Sequence, residues 1–246
     1  MIKGKTALIT GTSRGLGRTF VEVFAKNGSN VIAHARKETP EFIHMVKEVS
    51  QKYGVSVIPV FFDLTDAEAM KSAVRKIIAD KTPVDILINN AGVAHGGFFQ
   101  MTAISKIREV FESNFFSHIT LVQLLLRYML KNGGGSIINI ASISGMDLSA
   151  GNCAYGVSKA ALIAFTQTLA AECGINNIRV NAIAPGLVDT QMAELMEKKA
   201  GKAMLTSSAM KRLAEPEEIA NIAVFLASDK ASFINGQIIR ADGGHS

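Results

Sequence analysis

The chain has 246 residues, 48% of them hydrophobic and 19% charged, which suits one sizeable α/β domain and excludes a disordered or fibrous chain. Its net charge of +5 comes from scattered lysines and arginines, which argues against nucleic acid as a partner and for a basic pocket that takes an anionic ligand. No apolar run approaches the ~18 residues of a membrane span, the two cysteines and five histidines fall at no metal-ligand or redox spacing, and the N-terminus leads into a strand with no signal pattern, so a reduced, cytoplasmic protein without a metal or a membrane partner is expected.

Residues 6–10 read as a short apolar strand. It runs into Gly11-Thr12-Ser13-Arg14-Gly15-Leu16-Gly17 and then into an amphipathic helix that ends near residue 27. Strand, glycine-rich turn and helix start make a dinucleotide-binding arrangement: the glycines let the backbone approach a pyrophosphate, and the helix N-terminus favours its charge. The spacing is G-x-x-x-G-x-G rather than G-x-G-x-x-G. The second strand, 31–35, ends in Arg36 and Lys37, where an acidic residue would hold a ribose 2′-hydroxyl. Arg36 and Arg14 would instead hold a 2′-phosphate, which predicts NADP(H) over NAD(H).

Thr39 caps a helix that opens on Pro40 and runs to about residue 53. A third strand, 55–62, leads to Asp63, which either accepts a hydrogen bond from an adenine amino group or caps the turn. A helix over 66–79 precedes the fourth strand, 85–88, which is followed by Asn89-Asn90-Ala91-Gly92. Two adjacent amides are costly to bury unless bonded, so they either hold strands together or line the cofactor cleft. After a loop at 96–99, one helical stretch is predicted from 104 to 128. Asn114 sits there among apolar neighbours, where it either bonds its own backbone and bends the helix or holds a water.

Residues 136–141 read as a buried strand that delivers Ser142 at its end. Tyr155 and Lys159 are four residues apart on the next helix and so share a face. A hydroxyl, a phenol and an ammonium then converge, a set that moves a proton at a carbonyl or an alcohol. Ionising a free phenol at neutral pH costs about 4 kcal/mol, and a nearby ammonium is expected to lower that cost. Ser142 would hold the substrate oxygen while Tyr155 gives it a proton as hydride arrives, or takes one in reverse. A sixth strand, 177–183, ends at Pro185-Gly186-Leu187-Val188-Asp189-Thr190. The segment from about 187 to 210 reads as a helical lid over the substrate, with Met192, Met196 and Met204 giving an adaptable apolar pocket. A helix from Pro216 and a strand at 236–240 close the chain. The alternation of strands and helices predicts a doubly wound α/β fold, a mostly parallel sheet covered on both faces, as one domain over residues 1–246.

Taken in order, Thr10-Gly11-x-x-x-Gly15-x-Gly17, Asp63, Asn89-Asn90-Ala91-Gly92, Asn114, Ser142, Tyr155-x-x-x-Lys159, Pro185-Gly186 and Thr190 resemble the short-chain dehydrogenase/reductase family over nearly the whole chain. The resemblance implies a Rossmann-type sheet of seven parallel strands in the order 3-2-1-4-5-6-7. It implies a catalytic set of Asn114, Ser142, Tyr155 and Lys159. In that set Tyr155 is the acid/base, Lys159 binds the nicotinamide ribose, Ser142 positions the carbonyl and Asn114 keeps a water in a proton relay. It implies a cofactor site made by Gly11, Ser13, Arg14, Gly15, Leu16, Gly17, Arg36, Asp63, Leu64, Asn90, Ala91, Gly92, Tyr155, Lys159, Pro185, Gly186, Val188 and Thr190, with Val188 and Thr190 on the carboxamide. It also implies a homotetramer. Within the family the chain is most similar to reductases of 3-oxoacyl thioesters carried on acyl carrier protein, which tend to have basic residues before the fifth strand and after the tyrosine-bearing helix. Here those places read Asn132-Gly133 and Asn176-Asn177, with Lys131 and Arg179 nearby as substitutes.

Overall fold

The computed structural model describes residues 1–190 and 208–245. Among these, seven strands make one sheet: β1 (Thr6–Ile9), β2 (Asn30–Ala35), β3 (Val57–Phe61), β4 (Ile86–Asn89), β5 (Gly135–Ile140), β6 (Ile178–Pro185) and β7 (Ile238–Ala241). The order is β3-β2-β1-β4-β5-β6-β7 and every ladder is parallel, as expected. The helices are α1 (Gly15–Lys26), α2 (Pro40–Tyr53), α3 (Ala67–Ala79), α4 (Ile104–Phe111), α5 (Ser117–Lys131), α6 (Cys153–Cys173) and α7 (Pro216–Ala227).

The period of two along each strand divides the core. Leu8 lies level with Ile32 and Leu87, Leu87 with Ile137, and Ile137 with Val180, so these five side chains form one row on one face, packed under α3, α5 and α6. The next row, Ile9, Ala33, Ile88 and Ile138, faces the other way, against α1, α2 and α7. Both faces are buried, and the strands read as continuous apolar runs, as parallel strands between helices must. Strand order reverses at β1, between β2 and β4. The crevice beyond the carboxyl ends of those strands is the ligand position of such a sheet, and it is where Gly11 and Asn90 stand.

Local signals set the helix starts. Thr39 Oγ1 accepts from Phe42 N–H with Pro40 in the first turn, and Asp66 Oδ1 accepts from the N–H groups of Glu68 and Ala69. β3 begins at Val57 rather than 55, because the Val55 carbonyl and the Ser56 N–H are taken by Ser50 Oγ and Asn30 Oδ1. The predicted continuous helix over 104–128 is instead three pieces, with a π-helical turn, Glu112–Phe116, between α4 and α5. The expectation that Asn114 bonds its own backbone is corrected here. Its Oδ1 accepts from Val93 N–H at 2.8 Å and its Nδ2 donates to the Val93 carbonyl at 3.0 Å, so the wide turn serves to reach the loop after β4. Residues 191–207 of the expected lid, with Met192, Met196 and Met204, lie outside the described residues.

Candidate active site

β5 ends at Ile140, and Ser142 opens a short 3₁₀ turn, accepting from Ser144 N–H through its Oγ. That turn lies flat on the start of α6 because glycine stands at both contacts. A Cβ on Gly145 would meet the Lys159 carbonyl carbon at 2.7 Å, and one on Gly156 would meet the Ser144 oxygen at 2.6 Å. The close approach brings Ser142 beside Tyr155, and the four-residue spacing turns Lys159 into the same space. Tyr155 is half-buried as a residue with its hydroxyl at the deep end. Ser142 and Lys159 are buried, and the Lys159 Nζ stands 5.9 Å from the Tyr155 ring centre.

The electrostatics differ from expectation. Lys159 was expected to lower the phenol's pKa. Instead burial pushes the phenol up, and the Ser142 hydroxyl beside it works the other way. Lys159 donates to the Ile140 carbonyl at 2.7 Å, and burial lowers its own pKa to about 8. Asn114 joins the same pocket: its Nδ2 also reaches Ser158 Oγ at 3.2 Å, and a Cβ on Gly92 would come within 3.0 Å of its Oδ1 and 3.7 Å of the Lys159 Nζ. All four predicted catalytic residues are therefore gathered at the carboxyl ends of β4 and β5.

The predicted cofactor residues line the adjoining crevice. Gly11 has φ +71°, and a Cβ on Gly17 would lie 2.0 Å from the Gly11 oxygen, so only glycine closes this turn. Arg14, the N-cap of α1, supplies no side-chain cap, and the first turn of α1 holds no acidic residue. The first N–H groups of α1 thus face the crevice without a protein anion, as a pyrophosphate requires. Ser13 and Arg14 are exposed on this turn, Gly15 and Leu16 are partly buried, and Arg36 is exposed at the end of β2. Asp63 Oδ1 accepts from Thr65 N–H and Oγ1 and so caps the turn; these bonds hold its carboxyl below the usual range, with the charge of Arg36 adding to them. Leu64 packs on the α3 side of the core. The asparagine pair ties strands at the edge of this crevice: Asn89 donates to Asn139 and Asn139 to Thr166, while Asn90 Nδ2 donates to the Thr10 and Gly11 carbonyls. The Thr10 hydroxyl accepts from Asn90 N–H and Ala91 N–H, and Gly92 follows. Pro185 pairs level with Ala241, Gly186 packs against Asp242, Val188 bridges to Ala214, and Thr190 Oγ1 donates to the Val188 carbonyl. These residues fit a dinucleotide laid from Arg36 to Lys159 across the carboxyl edge of the sheet.

Some participants were not singled out from sequence. His34 bridges the glycine turn and the end of β3. His118 is wholly buried near Lys159. Each carried a signal: His34 is the polar residue within Val-Ile-Ala-His-Ala, and His118 lies one turn after Asn114. Arg240 pairs with Asp147 and Asp242, tying the loop after Ser142 to β7. Arg179, offered above as a substitute docking cation, is instead spent inside the fold, donating to the Ser228 and Ile234 carbonyls. Among the described residues no group of three or more metal-binding side chains is found, and no helix is long and apolar enough to cross a membrane.

Residues 11–246 match the family model described as enoyl-(acyl carrier protein) reductase. The chain is 36% identical over 244 residues to a 3-oxoacyl-[acyl-carrier-protein] reductase of Thermotoga maritima, covering 99% of this chain and 98% of that one. It is also similar to a candidate gluconate dehydrogenase of Agrobacterium tumefaciens, with TM-score 0.93, 30% identity, and 98% and 96% of the two chains covered. The L-sorbose reductase of Gluconobacter frateurii, solved with NADPH and L-sorbose, aligns with TM-score 0.91 and 35% identity over 99% and 97% of the two chains.

Proposed function

We propose a cofactor, a direction and a substrate for a chain that belongs to the short-chain dehydrogenase/reductase family, oxidoreductases that act on CH–OH and C=O groups: it reduces a ketone to a secondary alcohol with NADPH, the ketone being a 3-oxoacyl thioester. The observation that carries the reaction is the convergence of Ser142, Tyr155 and Lys159 at the end of the glycine-lined crevice.

The bound nicotinamide supplies the hydride in reduction and accepts it in reverse. The chain's own residues do the rest. Ser142 donates a hydrogen bond to the substrate oxygen and fixes its place. Tyr155, kept protonated by burial, is matched to reduction, since the carbonyl oxygen needs a proton as it becomes an alkoxide. Lys159 holds the ribose hydroxyls and keeps positive charge near that oxygen. Asn114, locked to both Val93 groups, keeps the wall behind Lys159 rigid and supports a water there. Arg36 and Arg14 at the far end favour the 2′-phosphate of NADPH. The exposed Phe116, in the π-helical turn before α5, and Val157, on α6, support a homotetramer.

Full-length likeness to the thioester reductase supports that substrate. One observation favours a second reading, a small polyhydroxy ketone. With Arg179 bonded internally, the basic docking face for an acidic carrier protein is reduced, and the L-sorbose reductase is as similar in sequence. The test is NADPH oxidation followed by absorbance with acetoacetyl thioesters beside L-sorbose and related ketoses. Fast turnover of the thioester alone supports the first reading. Turnover of the ketose alone replaces it with the second. Nucleotide binding with no turnover of any carbonyl in the panel overturns both.

A further inference from the structure

His34 is held by both of its ring nitrogens. The Gly11 N–H lies 3.2 Å from His34 Nδ1, and a backbone N–H only donates, so Nδ1 must be unprotonated. His34 Nε2 lies 2.9 Å from the Phe62 carbonyl, which only accepts, so Nε2 must carry the hydrogen. The two backbone partners together fix one neutral tautomer. The main chain of the same residue adds two bonds, its carbonyl accepting from Thr12 N–H at 2.8 Å and Thr12 Oγ1 at 2.9 Å. The ring also packs on Phe62, with centroids 4.2 Å apart. His34 thus braces the glycine turn on one side and the segment that leads to Asp63 on the other.

On the reading that this crevice takes a nicotinamide dinucleotide, we propose that His34 is a positioning residue which makes cofactor affinity depend on pH: neutral His34 holds Gly11 in place for the pyrophosphate, and protonated His34 releases it. Protonation puts a hydrogen on Nδ1, aimed at the hydrogen of Gly11 N–H. The turn must then move, and the first N–H groups of α1 move with it. The titratable and charged groups around the ring are few. Asp63, past the end of β3, favours the imidazolium. Arg36, the residue after β2, sets its positive charge against Asp63. The facing residues of β1 and its turn, Thr10, Gly11 and Thr12, bring none. Burial outweighs the Phe62 carbonyl bond and Asp63 together and holds the imidazole neutral to below its ordinary range, so the release falls on the acid side.

The experiment measures the affinity for NADP⁺ and NAD⁺ from about pH 7.5 to about pH 5, in the wild-type chain and in His34→Asn, which keeps an amide oxygen for Gly11 N–H and does not titrate. NAD⁺ is included because the 2′-phosphate of NADP⁺ itself titrates near pH ~6. The readout is the ratio of affinities at the two ends, not the absolute value. Wild type should lose affinity for both nucleotides toward the acid end, up to the three- to tenfold worth of about one backbone hydrogen bond, and His34→Asn should lose that component. Equal slopes in the two proteins for NAD⁺ overturn the proposal while leaving the cofactor reading intact. Wild type that binds neither nucleotide overturns both. A second measurement needs no variant: imidazole nitrogen NMR of the wild type should show Nε2 protonated and Nδ1 bare at neutral pH, turning doubly protonated in the range where affinity falls. A hydrogen on Nδ1 at neutral pH overturns the proposal.

Discussion

The Lys159 ammonium donates to the Ile140 carbonyl at 2.7 Å, inside the end of β5, and no carboxylate among the described residues pairs with it. A buried cation held only by a backbone dipole costs stability. Its pKa is about 8 in the fold against 10.5 ordinarily. Below pH ~8 both folded and unfolded chains hold the proton, and the cost is present in full. Between there and pH ~10.5 the unfolded chain binds more protons, so stability rises with pH. The nucleotide-free Lys159→Met variant should therefore unfold at a higher temperature than wild type at neutral pH, by a few degrees, as about 1–2 kcal/mol implies once the lost bond to Ile140 is deducted. The difference should shrink above pH ~8. Calorimetric melts at three pH values check it; a variant less stable at neutral pH would show that the ammonium is not strained there.

Tyr155→Phe keeps the ring and its packing and removes the proton donor. Turnover should fall by about 10²–10⁴-fold, while nucleotide affinity stays within a fewfold. Steady-state rates beside fluorescence titration with NADPH separate the two. Loss of binding in step with rate would mean that the phenol's main work is holding the cofactor.

Much of this site was legible in the sequence because its parts are local. Gly11, Gly15 and Gly17 share one turn, Tyr155 and Lys159 share one helix face, and the apolar runs give the order of strands and helices. The illegible parts are made by distant pairing. Asn114 looks like a residue that bends its own helix until the loop at Val93, 21 positions away, is folded against it. The phenol's environment depends on burial, which spacing does not encode, so the expected lowering by Lys159 is overruled by desolvation. Arg179 reads as an open cation near a strand start, yet the carbonyls of Ser228 and Ile234, 49 and 55 residues on, take its donors.

Arg36 stands exposed where β2 ends, and its charge bears on Asp63. Arg36→Asp puts a carboxylate where the 2′-phosphate would lie and leaves the ribose hydroxyls of NADH a possible partner. The ratio of NADPH to NADH affinity should fall by about 10- to 100-fold, the range of one charge-assisted hydrogen bond. Titration with both nucleotides checks it. An unchanged ratio would shift the discrimination to Arg14.

His118 is wholly buried on α5, and neither ring nitrogen finds a partner in hydrogen-bond geometry, although the Ala91 backbone lies near. Desolvation first, and the charge of Lys159 second, lower its pKa to about 3. A histidine neutral in the fold and titrating near pH ~6.5 when unfolded contributes stability that is fully present above pH ~6.5 and is lost as pH falls toward 3. The loss runs at about 1.4 kcal/mol per pH unit, so a buried imidazole of this kind makes the fold acid-labile well before its carboxylates protonate. His118→Val removes the titration and two orphaned polar atoms at once. At neutral pH its stability reflects the balance of about 1–3 kcal/mol regained from those atoms against a small cavity. The decisive readout is the slope: urea unfolding between about pH 7 and pH 5 should show the wild-type free energy falling by roughly 2 kcal/mol more than that of the variant. Because His34 stays in both chains, its own contribution to the slope cancels in the difference, and parallel slopes would mean that His118 takes up its proton without leaving the fold.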